Sequence, residues 1–145
     1  MRISAKAEYA CAAMLELAAR HGDGQPVRIQ SIAESQGISA RRFLVQILLQ
    51  LKTAGLVASV RGASGGYQLA RPPQAVTLAQ IINAIDDTAV TARVALSEAN
   101  RTPTVEVLLG VWHEMQQQEQ RLLERITLAE LLRRTQEHDA LTYQI

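Results

Sequence analysis

The stretch that most constrains this chain runs from Gly37 to Arg71: GISARRFLVQILLQLKTAGLVASVRGASGGYQLAR. Gly37-Ile38 is a turn signal, and Ser39 follows as an N-cap residue. Phe43, Leu44, Ile47, Leu48 and Leu51 then recur at helical spacing, which predicts a helix from about Ala40 whose C-cap glycine is Gly55. Leu56 to Val60 reads as a short strand, Arg61-Gly62-Ala63-Ser64-Gly65-Gly66 as a turn, and Tyr67-Gln68-Leu69 as a returning strand that leads to Arg71. A helix that opens on Arg41 and Arg42 and runs straight into a basic hairpin predicts a winged helix-turn-helix.

The segment upstream supplies the rest of that motif. Val27-Arg28-Ile29 leads into a short predicted helix from Gln30 to Gln36, which Gly37 breaks. In a helix-turn-helix the second helix enters the major groove and its N-terminal residues reach base edges. Here those residues are Ser39, Ala40, Arg41 and Arg42, and arginine can bind guanine O6 and N7 bidentately. Basic side chains at a helix N-terminus oppose its dipole, a cost that a nearby phosphate offsets. The wing's small residues let its backbone approach a phosphate or a narrow groove closely. The Gly62 to Gly66 run is not a nucleotide-binding loop: it lacks the G-x-x-x-x-G-K-[ST] pattern and precedes a strand rather than a helix.

Charge follows the same division. The net charge is +1, but residues 1–71 hold nine Lys or Arg against four acids, and residues 72–145 hold six against ten. A phosphate-facing module joined to a segment with another task has this asymmetry. The 145 residues suffice for one domain with an appended helical segment. With 48% hydrophobic residues, mostly aliphatic, they suit packed helices, and no apolar run approaches membrane-spanning length. The first residues lack the apolar core of a cleavable leader, since Lys6 and Glu8 interrupt it. The single cysteine, Cys11, permits no intrachain disulfide and fits a reducing cytoplasm.

On either side of the motif the pattern is helical. Ala5 to about Arg20 reads as an amphipathic helix with Ser4 as N-cap and Tyr9, Ala13 and Leu17 on its buried stripe; His21 to Pro26 is a loop. Thr77 caps a helix from Leu78 to about Asp86, and residues 87–103 read as a loop. From Thr104 a long helix runs to about Arg125. Its seam of Val105, Leu108, Trp112, Met115, Leu122 and Ile126 calls for a partner helix. A shorter helix from Ile126 to about Thr135 follows, with His138 to Ile145 as a tail that frays or straps a partner. The expected organisation is a DNA-binding domain over 1–86, a loop over 87–103 and a dimerisation segment over 104–145.

These pieces together resemble the Rrf-two type family of bacterial winged helix-turn-helix transcription regulators, which includes IscR, NsrR and CymR. The matching residues are Met1 to Lys6 with Tyr9-Ala10, Ile32-Ala33-Glu34 with Gly37-Ile38, Phe43 to Leu48 with Leu51-Lys52 and Ala54 to Val57, and Arg61-Gly62 with Gly65-Gly66-Tyr67 and Leu69 to Arg71. Val76-Thr77-Leu78, Ile81-Ile82 and Ile126 to Ala129 extend the match. The resemblance implies a mainly α fold with a β-hairpin wing and a long dimerisation helix. It implies base reading by Ser39, Arg41, Arg42, Gln46 and Arg61, and phosphate contacts by Lys6, Tyr9, Arg28 and the Ser64-Gly65-Gly66 backbone. It implies a homodimer, double-stranded DNA as partner, and a repressor's role.

Three departures from the family pattern stand out. Leu44-Val45-Gln46 replaces the common Leu-Glu-Gln, and the turn before Phe43 is one residue longer. Many members hold an iron–sulfur cluster on three cysteines before the long helix, whereas Asp86 to Val111 contains none. The expectation is therefore no cofactor and no metal site. No nucleophile elbow, histidine–carboxylate pair or phosphate loop is present, so no enzyme is expected either. The alternative is the same fold used to bind a protein or small-molecule effector, with weak or no specific DNA binding.

Overall fold

The computed structural model describes residues 3–39, 41–86 and 101–143. Helix α1 (Ala5–Ala19) is the central element, and α2 (Ile29–Gln36), α3 (Arg41–Thr53), α4 (Leu78–Ile85) and α6 (Leu128–Tyr143) all pack on it. Its composition explains this position. Ala7, Ala10, Ala13 and Ala18 are buried, and such small side chains let neighbouring backbones approach while Met14 and Leu17 fill the space between. Tyr9 departs from the expected buried stripe: it is 40% exposed. Ser4 starts the helix, its hydroxyl accepting from the Ala7 amide at 3.0 Å and donating to Asp86 at 2.7 Å.

A tight glycine turn joins α2 to α3. Gly37 sits at φ 65°, the left-handed conformation that glycine adopts without a Cβ penalty. The Ile38 amide donates back to the Ala33 carbonyl at 2.8 Å, which closes the helix end and buries Ile38 beside the core. Leu44, Ile47, Leu48 and Leu51 cover the inner face of α3 and are fully buried. Burial of each contributes about 1.5–3 kcal/mol of transfer free energy. Gly55 (φ 78°) ends α3 by the same device, the Leu56 amide donating to the Leu51 carbonyl at 3.0 Å. Helix α3 begins at Arg41; of the lengthened turn, Ala40 lies outside the described residues.

Strands β1 (Val57–Val60) and β2 (Gly66–Leu69) pair antiparallel, with Val57 opposite Leu69 and Val60 opposite Gly66. Val27 adds a one-residue third strand. Its amide donates to the Tyr67 carbonyl at 2.7 Å and its carbonyl accepts from the Tyr67 amide at 2.8 Å, which fastens the hairpin to the segment entering α2.

Helix α5 (Pro103–Arg125), capped by Thr102, buries none of its residues fully and packs against α4. The expected shorter final helix is instead α6, 16 residues from Leu128 to Tyr143. Ile126 lies in the break between α5 and α6, where its carbonyl accepts from the Leu78 amide at 2.9 Å. Thr127 caps α6 through the Glu130 amide at 3.1 Å. Hydrogen bonds from Arg133 and Arg134 hold the Glu130 carboxyl down at about 2, so this helix end keeps its charge pairing into acid. Of the expected 87–103 loop, residues 87–100 lie outside the described residues, as do Gln144 and Ile145 of the tail. No described helix is long and apolar enough to cross a membrane.

Candidate nucleic-acid interface

The fold brings the start of α3, the entry to α2 and the wing to one surface. Arg28, Arg41, Arg61, Gly65 and Gly66 line a single open depression together with Ser59 and Tyr67. The wing turn is closed by the Gly65 amide donating to the Gly62 carbonyl at 3.0 Å. Gly65 is required there, because a Cβ would overlap the Val60 carbonyl oxygen and lie 2.9 Å from that of Gly62. Ser64 projects from the turn, exposed. Arg28 has a bond that the sequence pattern does not disclose: its guanidinium donates to the Ala63 carbonyl and so ties the wing tip to the helix-turn-helix.

On α3, Arg41, Arg42, Val45 and Gln46 are exposed, as is Ser39 just before it. Tyr9 of α1 meets Phe43 edge-on, ring centroids 5.7 Å apart at 90°, so its ring lies beside the first turn of α3. Lys6, half-buried, lies one turn earlier on α1. Neither Lys6 nor Tyr9 lines the depression between helix and wing.

The charges on this surface have no acidic partners among the described residues. Arg20, Arg101, Arg133 and Arg134 each pair with a glutamate, whereas Arg41, Arg42 and Arg61 pair with no acid among the described residues. Three uncompensated guanidinium groups around a wing and a helix start form a concentrated positive field suited to a polyanion.

The residues of the expected seam fall on two faces of α5 and the break after it. Val105, Leu108 and Ile126 are half-buried, while Trp112, Met115 and Leu122 are exposed. Val107 and Val111, outside the expected seam, are exposed as well. Residues 107, 111, 115, 118 and 122 follow a 3/4 spacing, so the signal was present. It competed with the second apolar stripe of the same helix, and periodicity alone does not say which stripe faces the chain's own α4.

A short helix, a glycine turn, a second helix and an attached hairpin with unpaired arginines define a winged helix-turn-helix DNA-binding protein. Comparison with known proteins agrees and narrows the class. The family model described as Iron-dependent Transcriptional regulator, Rrf2, matches residues 3–134. The HTH-type transcriptional regulator IscR of Photobacterium profundum is 39% identical over 134 residues, 92% of this chain and 76% of its own. The solved structure of T. potens IscR superposes with a TM-score of 0.78 at 35% identity, covering 95% of this chain and 90% of its own. CymR, the global cysteine regulator of B. subtilis, superposes with a TM-score of 0.73 at 32% identity, covering 91% and 96%. The chain belongs to the Rrf2 family of transcription regulators, which are DNA-binding proteins and not enzymes.

The iron in the family's description finds a poor donor set in this chain. Clusters are built mainly on several thiolates, and Cys11 is the one cysteine in the sequence. Burial, reinforced by the Glu8 carboxylate, pushes its thiol up to about 11, an environment that opposes the thiolate form. Among the described residues no three His, Cys, Asp or Glu side chains come together. These residues do not fit a thiolate-held cluster.

Proposed function

We propose that this protein is a cytoplasmic, homodimeric, sequence-specific repressor that works without an iron–sulfur cluster. The observation that carries the reading is the convergence of Arg28, Arg41 and Arg61 on one depression, with Arg41, Arg42 and Arg61 free of acidic partners among the described residues. Residues 1–86 bind DNA and residues 104–145 dimerise. Ser39, Arg41, Arg42 and Gln46 reach base edges in the major groove, and Arg61 enters the adjacent minor groove from the wing. Lys6, Tyr9 and the Ser64-Gly65-Gly66 turn bind phosphates, while Arg28 fixes the wing in place and adds its charge. The stripe of Val107, Val111, Trp112, Met115 and Leu122 meets its counterpart in a second copy. Two recognition helices then read half-sites about 34–36 Å apart, and occupancy blocks a promoter.

Alanine substitution tests the docking. Arg41→Ala or Arg42→Ala is expected to cost about 1–3 kcal/mol of specific binding where the arginine is bidentate to guanine. Loss of a phosphate contact instead lowers the salt slope by about 1. Arg61→Ala weakens binding and removes any minor-groove preference. Binding by all three variants equal to that of wild type would overturn the model. For the dimer, Met115→Asp with Leu122→Asp is expected to sediment as a monomer; an unchanged dimer would place the interface elsewhere.

A further inference from the structure

Helix α3 leaves two large aliphatic side chains in solvent on the face that would meet DNA. Val45 is 41% and Leu49 59% exposed. Four residues apart on a helix, they are neighbours on one face. Neither fills the core, since Leu44, Ile47, Leu48 and Leu51 do so from the opposite side. The strip they form is surrounded by polar and cationic groups: Arg41 and Arg42 one turn before, Gln46 beside it, and Lys52 one turn after, all exposed. Cations with no acidic partner among the described residues, set around an apolar strip, suit neither an apolar protein surface nor a lipid interior. They suit a polyanion that presents an apolar feature of its own. In the major groove that feature is the thymine 5-methyl group.

Resting on the DNA-binding reading above, we infer that Val45 and Leu49 are specificity-determining residues that pack against thymine methyl groups. The operator half-site carries thymine under this strip. Cytosine at the same position lacks the methyl and offers an amino donor that an aliphatic side chain cannot accept. Buried against valine or leucine, that donor loses its water without gaining a partner. Discrimination against cytosine therefore has two sources, and the methyl contact can be isolated from the other.

Deoxyuridine isolates it, because it removes the methyl and leaves every hydrogen-bonding group of thymine in place. A half-site is first recovered by selection from a random duplex library with the full-length protein. Each thymine is then replaced singly by deoxyuridine and affinity is measured by anisotropy. Wild type is expected to lose about fourfold per contacted methyl at one or two positions in each half-site. Val45→Ala or Leu49→Ala binds the thymine duplex more weakly and is indifferent to the methyl at its own position. The inference is overturned if every thymine can be replaced without loss, or if both alanine variants keep the full methyl discrimination. A protein that selects no sequence at all refutes the DNA-binding reading itself, and this inference with it.

Discussion

Replacing Gly66 by alanine should unfasten the wing from the helix-turn-helix. A Cβ at Gly66 would overlap the Val27 carbonyl oxygen, with the Val27 carbonyl carbon at 2.6 Å and the Arg28 amide nitrogen at 3.0 Å. All of these are backbone atoms, so no side chain can swing aside. The strands must separate, and the first bonds lost are the two between Val27 and Tyr67, at 2.7 and 2.8 Å. Two backbone hydrogen bonds at a net value of about 1 kcal/mol each, with the displacement forced by the added methyl, give an expected destabilisation of about 2–4 kcal/mol. Urea unfolding measures the total, and amide hydrogen exchange locates it. The Val27 and Tyr67 amides should lose protection while those of α1 and the buried part of α3 keep theirs. DNA affinity should fall too, because Arg61 and the turn backbone would no longer be held at a fixed place relative to Arg41. Gly22→Ala is the control: nothing lies within 4 Å of its added Cβ, and a change below about 0.5 kcal/mol is expected. If Gly66→Ala unfolds like wild type with the Val27 and Tyr67 amides still protected, the docking contact is not what holds the wing.

Two further perturbations probe α1. Cys11 keeps its proton up to about pH 11 in the folded state, against an ordinary value of 9.0. The stability this contributes is therefore complete below pH 9 and is lost as pH rises towards 11, on the order of 2 kcal/mol across that window. Cys11→Ala should lack the alkaline loss, and rapid alkylation of the native thiol at pH 8 would contradict the assignment. Ser4→Ala removes both the α1 cap and the donor to Asp86, for an expected loss of about 1–2 kcal/mol in urea unfolding. Asp86→Asn retains an acceptor for Ser4 and should cost less; the reverse order would show that the cap is not the main contribution.

The local punctuation of this fold is legible in its sequence. Gly37 and Gly55 stand where left-handed helix ends are needed, Ser4 and Thr77 cap as their chemistry suggests, and the strand–turn–strand of the wing pairs in the expected place. What stayed hidden is what depends on distant partners. The Val27–Tyr67 pairing involves one residue on one side, too short to leave an alternating pattern. The tie from Arg28 to Ala63 spans 35 positions and has no motif. The end of α5 at Arg125 is legible in the pattern, and the start of α6 at Leu128 rather than Ile126 follows from the capping-box sequence Thr127-Leu128-Ala129-Glu130. Tyr9 combined both problems, since its helical spacing marks it as core while its position beside Phe43 leaves it at the surface. In the candidate interface, the sequence could nominate arginines by their place in a motif. Only the fold shows that Arg28, Arg41, Arg42 and Arg61 have no acidic partner among the described residues.

Sequence-specific DNA binding is tested by selection from a random-sequence duplex library, followed by anisotropy on the enriched duplex and a scrambled control over a range of salt concentrations. A homodimeric DNA-binding regulator predicts an imperfect palindrome with half-sites about one helical turn apart. It also predicts tighter binding to that duplex than to the control, with log affinity falling steeply as log salt rises. No enrichment, together with no binding even at low salt, would contradict it and leave the arginine-lined surface without the partner proposed for it.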